Sequence, residues 1–219
     1  DSRSKKKQLS RANQKKLKEA QEPMQFAISL SGEPTIYKKI GELISELRKR
    51  KKSSFLVTNG LYPEKIKELA KKKQLPTQLY VSVNASNKKL YDEFHRSSEK
   101  NAWGKLNKTL GIISKLKNKT RTVFRMNLVK NLNMIEPENY ARLIKKANPM
   151  FIEVKGFMSV GFARQRLDYD RMPSHKDIVN FSKKISNLTG LKILDEKEES
   201  RVVVLGRDKK RLKIKESEV

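Results

Sequence analysis

The sequence contains no cysteine among its 219 residues and only two histidines, His95 and His175. The absence of cysteine excludes disulfides, cysteine nucleophiles and thiolate-bound metals or iron–sulfur clusters within these residues. The two histidines lie far apart in the sequence, and surface or hydrogen-bonding roles are the alternative to metal ligation. We therefore predict no metal ligands in this chain.

Long apolar runs are also missing. No segment approaches the roughly 20 apolar residues that a helix needs to cross a bilayer. The first residues, Asp-Ser-Arg-Ser-Lys, do not have the pattern of a secretory signal. We expect a cytoplasmic protein with no membrane partner. The chain begins without methionine, so we also expect that its natural N-terminus was cut, processed or left out.

Acidic residues are few relative to basic ones. Lysine and arginine number 51 against 24 aspartates and glutamates, which gives a formal net charge of +27. A surplus this large predicts an extended positive surface, and nucleic acid is the leading partner for it. Solvated helix faces and a lysine-rich organism-wide composition stay open as alternatives, and acidic lipid is a weaker candidate.

Four short apolar runs end in polar residues that are two positions apart. The pairs are Ser29 and Ser31, Ser82 and Asn84, Arg125 and Asn127, and Glu153 and Lys155. Side chains two positions apart share one face of a strand. Together the pairs predict a wet, shaped interior that holds a ligand. The alternative is a half-exposed antiparallel sheet whose polar faces meet solvent.

The chain alternates between strand and helix patterns. Strands are predicted to start near residues 26, 55, 79, 122 and 151, and a last strand is predicted at 201–205. Strands separated by helices favour a parallel sheet with right-handed crossovers, which is an α/β fold. An open doubly wound sheet and a full or partial barrel remain alternatives, and both gather ligands at the carboxyl ends of the strands.

Several residues predict where helices begin and end. Pro63 and Pro137 suit first helical turns, Ser174 and Asp177 suit a capping box, and Gly190 suits a helix end. A further apolar helical stripe lies in an insertion at 87–119. Its members are Trp103, Leu106, Leu110, Ile113 and Leu116. For the tryptophan, a core position is favoured over a base-stacking one.

The ends of the chain differ in composition from its middle. Residues 1–22 are basic and polar, and we expect a flexible leader with a short helix around 14–21. Residues 23–207 are expected to form the core domain. Residues 208–219 are expected to be a charged, frayed tail.

Several segments, taken in order, resemble one family. They are Ser29-Leu-Ser-Gly-Glu-Pro-Thr35, Phe55-Leu-Val-Thr-Asn-Gly60, Pro76-Thr-Gln-Leu-Tyr-Val-Ser-Val83, Arg121-Thr-Val, Asn148-Pro149, Phe151-Ile-Glu-Val-Lys155 and Met172-Pro-Ser-His175. The set is similar to the archaeal type of radical S-adenosylmethionine (SAM) enzyme that makes 4-demethylwyosine in phenylalanine tRNA, a step of wybutosine biosynthesis. The likeness runs from about residue 22 to residue 205. It implies a partial (β/α) barrel of the radical SAM type.

The resemblance also implies a reaction. In such lyases a reduced 4Fe-4S cluster, fed by an electron donor, cleaves SAM to a radical that takes hydrogen from N1-methylguanosine beside the anticodon. Pyruvate, the co-substrate, supplies two carbons of the third ring. The cofactors carry the chemistry, and the protein positions the reacting groups.

The family motifs imply roles for particular residues. Ser31, Gly32 and Glu33 match the motif that receives the SAM ammonium group. The matched positions expected to hold the rest of SAM are Thr58, Asn59, Ser82, Asn84 and Arg125, with polar filler as the alternative. Glu153 and Lys155 are the expected catalytic, substrate-orienting residues, with a buried salt bridge as the alternative.

The expected tRNA contacts are Arg164, Arg166, Arg171 and His175, in a region where arginines alternate with Phe162 and Tyr169. Arginine binds phosphate or stacks on a splayed base.

The resemblance has gaps. The Cys-x-x-x-Cys-x-x-Cys motif of the family precedes the region matched here, so this chain alone is expected to be inactive. Asn84 stands where an aspartate is common, and Ser97 replaces a proline that often follows the matched Arg96. Two hypotheses follow: a fragment of the radical enzyme, or a cluster-free basic tRNA-binding module or partner half of a split enzyme.

Overall fold

A computed structural model describes residues 14–29 and 32–219 of the chain. The strands in this part are β1 (Gln25–Ile28), β2 (Ser53–Thr58), β3 (Gln78–Ser82), β4 (Arg121–Leu128), β5 (Phe151–Gly156), β6 (Lys192–Lys197) and β7 (Val202–Gly206). The helices are α1 (Gln14–Gln21), α2 (Ile40–Lys49), α3 (Pro63–Lys71), α4 (Lys88–His95), α5 (Ala102–Ile113), α6 (Pro137–Ala147) and α7 (His175–Thr189). None of the helices in these ranges has the length and apolarity of a bilayer span.

The sheet is parallel through its first five strands. β1 to β5 pair in chain order and in parallel, as the alternation of strands and helices predicts. β7 then pairs antiparallel with β5, and β6 pairs antiparallel with β7. Because β1 and β6 end the strand order without pairing with each other, the sheet is open. This topology confirms the α/β fold and excludes a closed barrel for the described residues.

The two faces of the sheet differ in polarity. Leu56, Leu79, Phe124 and Ile152 lie on the face that packs against the helices, and all four are fully buried. The residues next to them along each strand point to the other face and are mostly half-buried. Val123 and Phe151 are the buried exceptions. This second face is the inner face, and it carries Ser82, Arg125, Asn127, Glu153 and Lys155. Helices cover the outer face with their apolar sides, as their 3.6-residue periodicity requires.

Local sequence signals set the helix ends where they were predicted. Pro63 and Pro137 occupy the first turns of α3 and α6. The Ser174 hydroxyl accepts a hydrogen bond from the Asp177 backbone N–H, and the Asp177 carboxylate accepts from Ser174 in return. Hydrogen bonds from Ser174 hold the pKa of Asp177 below its usual range. Gly190 ends α7 with a φ of +72°.

Several elements differ from the sequence predictions. The insertion at 87–119 contains two helices, α4 and α5, and Leu116 lies beyond the end of the second one. Trp103 packs at the edge of the core, as predicted. Lys192–Lys197 also forms a strand, β6, but it is mostly charged and exposed and has no period-2 alternation, so no sequence pattern predicts it. The predicted short helix in the leader is α1, and residues 1–13 lie outside the described part of the chain.

The C-terminal segment is docked, so the expectation of a frayed tail is wrong. The Arg121 side chain, only 3% exposed, donates to the Glu218 carboxylate at 3.1 Å. The same guanidinium donates to the backbone carbonyls of Arg211 and Leu212. Leu212 also lines a cavity of about 150 Å³ beside Tyr80 on the inner face. The buried arginine therefore holds the tail across the amino-terminal end of the sheet.

Candidate active site

The polar pairs line up in rows across the inner face. Ser82 of β3 is in register with Arg125 of β4, which is in register with Glu153 of β5. Two residues closer to the carboxyl ends of these strands, Asn127 is in register with Lys155. Neighbouring strands lie about 4.8 Å apart, so the side chains of a row are within reach of each other. The structure thus brings these predicted site residues together.

Arg125 and Glu153 form an ion pair within this row. The Arg125 Nε donates to Glu153 Oε1 at 2.9 Å, and the side chains are 29% and 19% exposed. Glu153 therefore forms a partly buried salt bridge, which was the alternative to a substrate-orienting role. Burial raises the pKa of nearby Tyr80, and the charge of Glu153 adds to this increase while Arg125 opposes it. No ion pair joins Lys155 to any residue of the described ranges, and its side chain lies half-buried on the same face.

Glu33 is the centre of a hydrogen-bonded clamp at the end of β2. Its Oε1 accepts from Thr35 N at 3.0 Å, Thr35 Oγ1 at 2.6 Å and Thr58 Oγ1 at 2.7 Å. Its Oε2 accepts from the backbone N–H of Asn59 at 2.7 Å. The carboxylate therefore ties the turn after β1 to the end of β2. One side of Oε2 is left for a further donor, because an ionised carboxylate offers about four lone pairs.

The clamp changes the interpretation of two predicted site residues. Thr58 does not lie on the inner face, because it is in register with the core residue Val81, and its buried hydroxyl donates to Glu33. The Asn59 side chain accepts from Leu61 N at 3.0 Å and so shapes the turn that follows β2. Period-2 alternation predicts β2 itself. It does not predict the side-chain directions of Thr58 and Asn59, because the chain turns at the end of β2.

Gly32 is the exposed neighbour of the clamp. It has a φ of +73°, a conformation that favours glycine, and a Cβ built there would meet nothing within 4 Å. Its backbone is therefore open to a ligand at the carboxyl edge of the sheet. Ser31, the other predicted member of this motif, lies outside the described residues.

A second clamp joins the ends of β3 and β4, and its central residue was missed from the sequence. Asn133 is fully buried, and its Nδ2 donates to the carbonyls of Asn84 at 2.8 Å and Asn127 at 2.9 Å. Asn84 Oδ1 in turn accepts from Asn127 N at 3.0 Å. The predicted site residue Asn84 thus uses its amide oxygen within the protein, and its amide N–H groups donate to none of the described residues. Nothing in sequence distinguishes Asn133 from the nearby Asn131.

A third clamp holds the loop after β3. The Glu136 carboxylate accepts from Ser86 Oγ at 2.8 Å, Asn87 Nδ2 at 2.7 Å and Asn139 Nδ2 at 2.6 Å. These hydrogen bonds, the one from Ser86 first, hold the pKa of Glu136 below its usual range. The three clamps give the carboxyl edge a defined shape before any ligand arrives.

The predicted tRNA segment follows β5 at this same edge. Phe162 and Tyr169 are 82% and 74% exposed, which is unusual for aromatic side chains. Arg164 Nε donates to the carbonyl of Ser159 at 3.1 Å, and Arg171 donates to that of Asn131 at 3.1 Å. Arg166 is exposed. The segment therefore presents two aromatic rings and three guanidinium groups beside the candidate site.

His175 is placed differently from the arginines. It starts α7, its side chain is 15% exposed, and its Nε2 lies 3.4 Å from Glu196 Oε2 of β6. A side chain this buried, with a protein partner, has little surface to offer an RNA. His175 is therefore less available to an RNA than the exposed arginines Arg164 and Arg166.

The donor set of the chain does not fit an iron–sulfur cluster. The sequence has no cysteine, and no three His, Asp or Glu side chains of the described residues gather as metal ligands. Thiolate ligands for a cluster must come from residues outside this 219-residue chain. The donors along the carboxyl edge do fit SAM, which carries ammonium, carboxylate, ribose and adenine groups.

Comparisons with known proteins agree with this architecture. Residues 5–144 match the family model described as the radical SAM superfamily, and residues 146–207 match one described as wyosine base formation. The chain is 45% identical over 199 residues to the SAM-dependent tRNA 4-demethylwyosine synthase of Pyrococcus abyssi, covering 90% of this chain and 58% of that protein. The corresponding synthase of Methanocaldococcus jannaschii is 35% identical over 206 residues, covering 93% and 62%.

A solved structure supports the same relationship. The structure of TYW1 with a lysine-pyruvate adduct bound is 35% identical and superposes with a TM-score of 0.80, covering 91% of this chain and 62% of that one. The chain thus spans about three fifths of the length of these relatives. The chain belongs to the radical SAM superfamily, and it is similar to the tRNA 4-demethylwyosine synthases.

Proposed function

We propose that this chain forms the SAM-binding part of a tRNA 4-demethylwyosine synthase. The whole enzyme converts N1-methylguanosine beside the anticodon of phenylalanine tRNA to 4-demethylwyosine, with pyruvate as co-substrate, as a carbon–carbon lyase. The observation that carries the proposal is the row of Ser82, Arg125 and Glu153 across the inner face of three parallel strands, level with the carboxyl end of β3. The Gly32–Glu33 turn lies at the same edge. In α/β folds this edge is where ligands bind.

The residues divide into those that bind SAM and those that position them. Gly32 offers its backbone to the ammonium group, together with the negative charge of Glu33. Ser82, Asn84 and Arg125 offer donors to the ribose and carboxylate. Thr58 and Asn59 act through Glu33, because their hydrogen bonds hold its carboxylate in place.

Glu153 and Lys155 remain the proposed substrate-orienting residues, Glu153 with its charge balanced by Arg125. A 4Fe-4S cluster and its electron donor belong to the part of the enzyme that supplies cysteines, and SAM supplies radical chemistry when it is bound to such a cluster.

The tRNA surface is proposed to be the segment that carries Arg164, Arg166 and Arg171. Its exposed Phe162 and Tyr169 suit stacking on unpaired bases of a loop. His175 is left out of this surface because it is buried against Glu196. We also propose residues 23–207 as the partial-barrel domain, with 1–22 and 208–219 as its basic appendages, in a cytoplasmic protein.

SAM binding tests the proposal. We expect the chain to bind SAM in isothermal titration, and R125Q to weaken binding by about tenfold, since each charge-assisted hydrogen bond contributes about 1.5–3 kcal/mol. R50Q is the matched control, because Arg50 lies at the exposed end of α2 and pairs with Glu46. Equal affinities of R125Q and R50Q would contradict the assignment of Arg125.

Activity requires the complete coding sequence of the gene that contains this chain. After anaerobic reconstitution with iron and sulfide, it is expected to convert methylated phenylalanine tRNA and pyruvate to the tricyclic nucleoside, detected by mass spectrometry. A protein that binds tRNA but lacks both iron–sulfur absorbance and product would instead support the second candidate, a cluster-free tRNA-binding module. The absence of cysteine from this chain is the observation that favours that candidate.

A further inference from the structure

A cavity of about 660 Å³ lies at the amino-terminal edge of the sheet, opposite the candidate active site. Leu75 to Thr77, just before β3, and Thr120 and Arg121, where β4 begins, line it. β4 has eight residues, so at about 3.3 Å per residue the two edges are roughly 26 Å apart. A ligand in this cavity therefore does not contact the SAM site.

Positive charge dominates the walls of this cavity. Four lysines line it: Lys71, Lys73, Lys117 and Lys119. Three arginines line it as well, against a single acidic side chain, Glu218. Like charges this close together repel one another, so the arrangement costs free energy unless an anion neutralises them.

The arginines serve the protein itself. Arg48 donates to the carbonyls of Lys73, at 2.9 Å, and Leu75. Arg121 and Arg211 share Glu218. These contacts use the guanidinium groups to build the walls, and they also use Glu218, the one acidic side chain that faces the cavity.

The four lysines are different, because they are exposed and none forms an ion pair with a described residue. Lysines elsewhere on α3 and α5 do form such pairs. Lys65 and Lys72 bind Glu68, and Lys108 binds Glu64. Several lysines of this region are thus neutralised within the protein, whereas the four that line the cavity leave their positive charge for a ligand.

We propose that this cavity is a phosphate-binding site, which takes a ligand with several adjacent phosphate groups. Lysine ammonium groups bind phosphate oxygens as point charges, and four of them around one cavity match a run of phosphates better than a single carboxylate. Two sources supply this chemistry: a stretch of RNA backbone and a free polyphosphate anion. The site goes beyond the proposed SAM and tRNA surfaces at the other edge.

Titration with inorganic tripolyphosphate at physiological salt tests the site. The cavity variant is K71Q/K73Q/K117Q/K119Q. The control is K145Q/K183Q/K184Q/K192Q, which removes the same charge from exposed lysines outside the cavity. We expect the cavity variant to bind tripolyphosphate at least tenfold more weakly than the unsubstituted chain and the control to change little. Equal weakening in both variants, or no binding by the unsubstituted chain, would overturn the proposal.

Competition then identifies the source of the phosphates. A phenylalanine tRNA transcript that displaces bound tripolyphosphate supports RNA as the ligand. This displacement should be lost in the cavity variant. Binding of tripolyphosphate without displacement supports a free anion. SAM affinity, measured in the same variants, is expected to stay unchanged, so failure of the phosphate site and failure of the proposed function give separate results.

Discussion

Glu33 shows how the residues around a carboxylate decide what that carboxylate does. Four protein hydrogen bonds reach it from three residues. The Glu33 carboxylate stays charged but is held in one position by these hydrogen bonds. It also fixes the backbone beside Gly32. The same holds for Asn133, whose amide joins two strand ends. At this scale, the neighbours that position a ligand-binding group matter as much as the group itself.

The Glu33 clamp is expected to contribute measurably to stability. T58V keeps the shape of the buried side chain, but it removes the donor to Glu33 and the acceptor for Gly60 N. The free energy of unfolding in urea should fall by about 2 kcal/mol, because buried polar groups lose their partners. T189V is the control, since the Thr189 hydroxyl bonds only within and just after its own helix. A loss no larger in T58V than in T189V would argue against the clamp.

The Arg125–Glu153 pair can be measured with a double-mutant cycle. R125Q, E153Q and the double variant should give a coupling energy of about 1 kcal/mol in chemical denaturation, because the pair is more buried than a surface ion pair. A coupling energy near zero would mean that the two side chains act independently on the inner face.

At the scale of elements, helix ends follow local rules that packing does not alter. Pro63, Pro137, the Ser174–Asp177 box and Gly190 all lie where short-range signals place them. Each signal acts within one turn of backbone, so distant contacts have little influence on it. β6 is the opposite case: it is mostly charged, lacks alternation, and forms a strand through its pairing with β7.

Alanine substitutions at two glycines in open surroundings test backbone strain and helix propensity separately. G190A should lower the free energy of unfolding by about 1 kcal/mol, because Gly190 has a φ of +72° and alanine disfavours that conformation. G111A, inside α5, should raise it by up to about 1 kcal/mol, because alanine is the better helix former. A Cβ at either position meets nothing within 4 Å. Changes of the same sign in thermal and urea unfolding would contradict this explanation.

At the scale of the whole molecule, two clusters of positive charge lie at opposite edges of the sheet. The carboxyl edge carries the arginines of the proposed tRNA segment, and the amino edge carries the lysine cavity. The tail contributes to the second edge, because Arg121 holds it there through Glu218. A chain of net charge +27 would otherwise repel its own basic tail.

The docked tail predicts a pH dependence. Burial opposes ionisation of Glu218, but the Lys215 N–H and the Arg121 charge outweigh it and lower the pKa of Glu218 below its usual value of about 4.5. A carboxyl whose pKa is lower in the folded state stabilises the protein above the unfolded-state pKa, and this stabilisation is lost as the pH falls through the folded-state pKa.

The E218Q variant tests this dependence. At pH 7 its free energy of unfolding should be about 2 kcal/mol below that of the unsubstituted chain. The difference should shrink as the pH falls below about 4.5. E216Q, a neighbouring residue without this contact, is the control. A difference that does not change with pH would mean that the charge of Glu218 does not hold the tail.

The sequence by itself determined the α/β class, the first five strands, most helix ends and the polar pairs on one face, because these features depend on alternation and on contacts within a few residues. The ordered motifs also identified the family. Only the tertiary structure decided that Thr58 turns outward to Glu33, that Glu153 pairs with Arg125, that Asn133 joins two strand ends, and that the tail docks on Arg121. These contacts join residues that are distant in the chain, except for the short link from Asn133 to β4. Which residues meet depends on strand register and loop geometry. No short-range pattern encodes such choices.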